Sequence, residues 1–135
     1  MKKSGFTLLE IIIVIIVVGV LASLALPRFF KVIEVSRGAE ALNAFSVLRK
    51  SIERYYVARL GDYTGVTFSQ LDVEDPGNLP ATHFTYNILG ANKTGYSIVA
   101  SRNALDNGSP TSTLTLTQTV TSVSRSGTPA FIGIQ

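Results

Sequence analysis

Residues 6–26 form an apolar run with a single charged side chain, Glu10, and residues 11–26 carry none. Seventeen of the chain's 62 hydrophobic residues fall in these 21 positions. Wound as an α-helix, 21 residues reach roughly 32 Å, about the thickness of a bilayer hydrocarbon core. The segment can therefore span a membrane. Of the other 114 residues, 45 are hydrophobic, which is ordinary for a soluble domain. Lys2 and Lys3 before an apolar run also suit a secretory signal. The run is longer than a usual signal core, however, and no small-x-small cleavage site follows it. Lys and Arg counts leave the orientation open, with Lys2 and Lys3 before the span and Arg28, Lys31 and Arg37 after it.

Glu10 is the costly residue. A carboxylate at the bilayer centre costs about 2.5–3.5 kcal/mol on insertion scales, and less near the interface. One reading places it at headgroup level near the helix start. The other makes it functional, because no Lys or Arg lies between Ser4 and Pro27 to neutralise it. Any cation that pairs with a buried Glu10 must then come from elsewhere.

The leader Lys2-Lys3-Ser4-Gly5, followed by Phe6-Thr7-Leu8-Leu9-Glu10, an aliphatic run and Pro27, resembles the N-terminus of type IV pilins and pseudopilins. The resemblance covers about the first 60 residues. It implies an α+β, type IV pilin-like fold, with a long N-terminal helix whose second half packs on a small antiparallel sheet. It implies that a prepilin peptidase cuts between Gly5 and Phe6 and methylates the new amine of Phe6. It also implies that Glu10 pairs with the Phe6 amine of a neighbouring subunit and sets the register of assembly. The partners it implies are copies of the chain and other pilins, the peptidase, an inner-membrane assembly platform, and lipid before assembly. The subunit would wait in the inner membrane with its head on the extracytoplasmic side. It would then enter an extracellular pilus serving adhesion, motility or DNA uptake, or a periplasmic pseudopilus of a type II secretion system. A minor pilin is a further alternative within the class. Many pilins carry a C-terminal disulfide loop, and this chain has no Cys. From another class, a signal-anchored envelope protein with a non-assembling binding head is the rival.

Four segments follow: a leader at 1–5, an apolar membrane and assembly helix at 6–27, an amphipathic half at 28–60 and a head at 61–135. Pro27 removes one backbone donor, and with Gly19 it marks a kink or local melting. Helical spacing continues beyond it, with Val35, Ala39, Leu42, Phe45, Leu48, Ile52 and Tyr55 on one stripe. Gly61 is a natural stop. Residues 61–82 read as an irregular connection, rich in Gly and Pro. Residues 84–89, 96–101 and 113–123 read as three strands, whose sheet would cover the helix stripe. Residues 109–128 hold 12 Ser or Thr, and the alternation of Leu114, Leu116 and Val120 with threonines favours a half-exposed strand over a glycosylated stalk. Asn92-Lys93-Thr94 and Asn107-Gly108-Ser109 match the N-glycosylation pattern, but both are also good turns.

No catalytic constellation emerges, so the chain reads as an assembly protein and not an enzyme, with no cofactor and no metal. His83 is the one His, beside a strand and without Cys, and reads as a strand-end residue. Asp72, Glu74 and Asp75 lack the ordered spacing of a calcium loop. The net charge of +3 is too weak to point to a specific nucleic acid partner. It is also uneven, with seven basic and three acidic residues in 28–60 against three basic and five acidic in 61–135. That asymmetry suits either a solvated helix face or complementarity between the helix of one subunit and the head of another.

Overall fold

The computed structural model describes residues 5–131. Helix α1 spans Leu8–Ala58 and is followed by strands β1 (Phe84–Asn92), β2 (Gly95–Arg102), β3 (Thr113–Thr119) and β4 (Val123–Gly127). The strands form one antiparallel sheet in the order β1-β2-β3-β4. This is the pilin-like α+β architecture: one long N-terminal helix, then a four-stranded sheet. The chain divides into two compact units, the first ending at Ile33 and the second beginning at Glu34.

In the first unit every described residue from 5 to 32 is exposed, including the aliphatic run. Helix residues continue without interruption through Gly19 and Pro27, so neither position ends or melts the helix. Pro27 has no N–H to give the Ser23 carbonyl one turn earlier. The Ser23 hydroxyl, polar in an apolar run, donates to the Val20 carbonyl at 2.7 Å.

The second unit is built on a stripe of α1 formed by Gly38, Ala41, Phe45, Leu48, Ser51, Ile52 and Tyr55. From Phe45 onward this is the expected stripe. Before it the buried face runs through Ala41 and Gly38, so Ala39 is exposed and Val35 and Leu42 are only half-buried. Steps of three and four taken backward from Phe45 reach 41 and 38 equally well, and apolar spacing alone could not choose between small residues. Against the stripe pack Phe84 and Tyr86 of β1, Ile98 and Ala100 of β2, Leu114 and Leu116 of β3, and Phe131, all buried. Phe45 meets Tyr86 edge-on, with centroids 6.3 Å apart, and Phe84 lies 5.7 Å from Phe131.

The helix closes as the sequence suggests. Leu60 and Gly61 take left-handed φ values of 57° and 90°, and the Gly61 N–H donates to the Tyr56 carbonyl at 3.0 Å. Residues 61–82 are irregular but anchored. Arg54 holds the Asp72 carboxylate at 2.6 and 2.8 Å, and the Ser51 hydroxyl donates to the same group. Chiefly through Arg54, and then Ser51, the Asp72 carboxyl is drawn down to about 2. Asp75 caps the 3₁₀ turn Pro76–Asn78, accepting from the Gly77 N–H at 2.8 Å.

The expected third strand, 113–123, is two strands. Thr119 breaks it: its hydroxyl accepts from the Ser122 N–H at 3.0 Å, and its own N–H donates to the Ser122 carbonyl at 2.8 Å. Strand β4 is exposed at four of its five positions, so it lacks the apolar alternation that announces a strand. The β1–β2 connection is also tighter than the sequence implied, because Asn92 pairs with Gly95 across a turn at Lys93-Thr94. Asn92 Oδ1 accepts from the Thr94 N–H at 2.8 Å, so the first glycosylation pattern is this turn. A Cβ on Gly95 would lie 2.2 Å from the Gln118 carbonyl oxygen, so β2 approaches β3 there only as glycine.

A charged cluster ties helix residues 34–40 to the end of the sheet. Arg102, whose side chain is fully buried, donates from Nε to Glu34 at 2.7 Å and from Nη1 to the His83 carbonyl at 3.1 Å. Arg37 pairs with Glu34 at 3.3 Å and with Asp106 at 3.0 Å. His83 sits at the start of β1, between Glu40 at 2.8 Å and Asp106 at 3.1 Å. Partial burial works against ionisation of Glu40. Its hydrogen bonds from the His83 N–H, the Thr82 hydroxyl and the His83 ring outweigh that and hold its pKa below the usual range. His83 is the strand-end residue the sequence suggested, and it is also a pin between helix and loop.

Arg102→Ala should lower the stability of the full chain in detergent by about 3 kcal/mol or more, since Glu34 and the His83 carbonyl lose a buried partner. Near-UV circular dichroism melts check this, and an unchanged midpoint would show that the cluster holds nothing. Asp72→Asn tests the helix-to-loop tie. The Asp72 pKa is depressed in the fold, so its contribution is complete above about pH 4 and fades as pH falls toward about 2. Wild type should melt above the variant at pH 6, with the two converging as pH falls through about 2.

Candidate processing and assembly site

The start of α1 holds the residues expected to carry processing and register. Gly5 and Phe6 lie just before the helix, exposed, with Phe6 at 84% exposure. Lys2 and Lys3 of the leader lie outside the described residues. Thr7 precedes the first helical residue, Leu8, and Glu10 is the third residue of the helix. The two side chains close a reciprocal cap. The Glu10 N–H donates to Thr7 Oγ1 at 3.2 Å, while Glu10 Oε2 accepts from the Thr7 N–H at 2.9 Å and the Thr7 hydroxyl at 2.8 Å.

This cap answers a problem particular to an apolar helix. The first N–H groups of any helix have no internal acceptor, and in lipid there is no water to supply one. Thr7 and Glu10 satisfy two of these donors, and the carboxylate lies at the positive end of the helix dipole. The Glu10 Oε1 oxygen makes no hydrogen bond among the described residues, so one acceptor edge remains for a cation. The charge is thus folded back on its own helix without being used up. The sequence reading weighed Glu10 for depth and partner but missed Thr7. The signal was present, a hydroxyl residue three positions before a carboxylate at the head of an apolar run.

Gly19 and Pro27 lie further along the same helix, away from this cap in sequence. A Cβ on Gly19 would meet nothing within 4 Å. Glycine at this position is therefore not forced by packing within the chain. The carboxylates of the 72–75 segment have separate roles: Asp72 binds Arg54, Asp75 caps a turn, and Glu74 is exposed.

The model of the prokaryotic N-terminal methylation motif matches residues 1–26. Fimbrial protein EcpC of Eikenella corrodens is 37% identical over 54 residues, covering 40% of this chain and 35% of that protein. Type II secretion system core protein G of Escherichia coli (strain K12) is 39% identical over 54 residues, covering 40% of this chain and 37% of that one. The matched stretch therefore spans a little over a third of each curated relative. Together with the helix and sheet described above, these likenesses make the chain type IV pilin-like or pseudopilin-like, with an N-terminal methylation motif at the head of its apolar helix.

Proposed function

We propose that this chain is a filament subunit, made as a precursor, cut between Gly5 and Phe6, methylated on Phe6 and assembled through the helix that follows. One observation carries this reading: the methylation motif coincides with a helix whose every described residue up to Val32 is exposed, and whose one charge before Pro27, Glu10, is capped at the very start. Before assembly, lipid would cover the apolar run while the head stands on the extracytoplasmic side of the inner membrane. In the filament, helices of other subunits would replace lipid, so packing and polar pairing should decide the register more than hydrophobic transfer does.

Cleavage would supply the cation the sequence lacks, an amine on Phe6 one turn before Glu10. A neighbouring subunit's amine can use Glu10 Oε1 while Oε2 stays on Thr7, so pairing between subunits need not uncap the helix. A carboxylate buried without such an amine is costly, which penalises every other register. Nothing in this mechanism requires catalysis by the chain itself. A pseudopilus subunit is the second reading, favoured by the likeness to core protein G, which matches as much of the chain as the fimbrial protein does.

Gly5→Val should block leader removal, seen by mass spectrometry as a precursor heavier by the five residues 1–5. Normal processing of this variant would rule out the cleavage site. Glu10→Ala should be processed normally yet be depleted about tenfold or more from sheared filaments, the scale of a lost buried charge pair. Wild-type abundance there would exclude the register role. Imaging of surface filaments from the native strain separates a pilus from a periplasmic pseudopilus.

A further inference from the structure

The second unit carries two clefts of opposite charge on opposite flanks of α1. The first is a groove of about 480 Å³ between α1 and the 74–82 segment, on the β1 side of the sheet. Ala44, Val47 and Leu79 supply apolar wall, with Val47 and Leu79 half exposed, and Glu40 and Glu74 supply negative charge. Tyr86 also lines it; the residue is 4% exposed and its hydroxyl has no partner among the described residues. Glu74 makes no ion pair or hydrogen bond there either, unlike its neighbours Asp72 and Asp75. The second cleft, of about 290 Å³, lies on the β3–β4 side, where Arg49, Lys50 and Arg125 converge beside Leu116. These three side chains are exposed, and none has a carboxylate partner among the described residues.

Three like charges gathered with no carboxylate in ion-pair contact among the described residues repel one another, and a carboxylate above an apolar groove with an unanswered hydroxyl is half a binding site. The two halves match in chemistry. An arginine or lysine can lay its methylene stem along Val47 and Leu79 and carry its charge to Glu74. Both clefts flank one helix and one sheet, so they cannot meet within a single head. We infer that the groove of one copy receives the basic flank of a second copy, with Arg125 of the second copy on Glu74 of the first. The contact joins two different surfaces, so each bound copy still presents a free groove or a free basic flank. It propagates where an isologous pair would stop. Charges at the rim would speed encounter and select the facing surface, and added salt would weaken the contact.

This inference rests on the reading of the chain as a filament subunit, and the experiment separates the two. The chain contains no Cys, so Pro80→Cys and Ser46→Cys in one full-length chain place the only thiols beside the two clefts and leave Glu74 and Arg125 in place. A short bismaleimide should then give a ladder of dimers and higher adducts in sheared filaments, and neither single variant should give more than a dimer. Charge reversal supplies a second measurement. Glu74→Lys and Arg125→Glu should each lower filament yield roughly fivefold or more, and the double variant should restore it, as coupled charges do. Filaments that contain the chain but give no ladder, with both reversals at wild-type yield, would overturn this interface and leave the filament reading standing. The same result is expected if the groove takes a small cation or an unrelated basic protein. A ladder in membranes from cells whose filaments lack the chain would support the interface and overturn the filament reading.

Discussion

The structure depends on one helix serving two solvents. Along residues 8–32 of α1 no side chain is covered by the chain's own fold, and the aliphatic run needs lipid or other helices around it. From Gly38 to Tyr55 the same helix is the central element of a water-soluble core, carrying Phe45, Leu48 and Ile52 into a sheet that would otherwise be an open apolar face. The change happens without a change of secondary structure. Only the composition of the faces alters, from aliphatic all round to apolar on a single stripe. Helix α1 itself runs without interruption from Leu8 to Ala58.

Much of this was legible because its signals are local or periodic. The apolar run, the stripe from Phe45 to Tyr55, the stop at Gly61 and strands β1 and β2 follow from spacing, φ requirements and alternation. What escaped depends on partners far away in sequence. Arg102 ends a strand and reads as an exposed residue until Glu34, 68 positions earlier, is brought to its Nε. Strand β4 has no buried side to advertise it, and its existence rests on pairing with β3. The split between them turns on the Thr119 hydroxyl, in a stretch where more than half of the residues are Ser or Thr. At the helix start the reverse happened. The residues of the motif were recognised as a set, and the local capping chemistry of Thr7 inside that set went unread.

Electrostatics follows the same division between what is closed and what is left open. Within the head several acidic and basic residues neutralise one another, Glu34 with Arg102 and Arg37 and Asp72 with Arg54, while Glu40 is hydrogen-bonded to His83. The excess of positive charge on residues 28–60 and of negative charge on 61–135 is thus partly spent in binding the head to its own helix. Glu74 on one flank, and Arg49, Lys50 and Arg125 on the other, are among the charges left without an ion pair among the described residues. Glu10 belongs to this open set in part, held by one oxygen and without a hydrogen bond on the other among the described residues.

The cluster around Arg102 and His83 fastens the sheet to the helix in a chain that contains no Cys. A head without cysteine needs no oxidant or disulfide isomerase to reach its final form. Reducing agents cannot open it. Its sensitivity lies elsewhere, in the protonation of carboxylates such as Glu40 and Asp72, whose pKa values the fold lowers, so the acidity of the surroundings, and not their redox potential, governs how firmly the head stays shut.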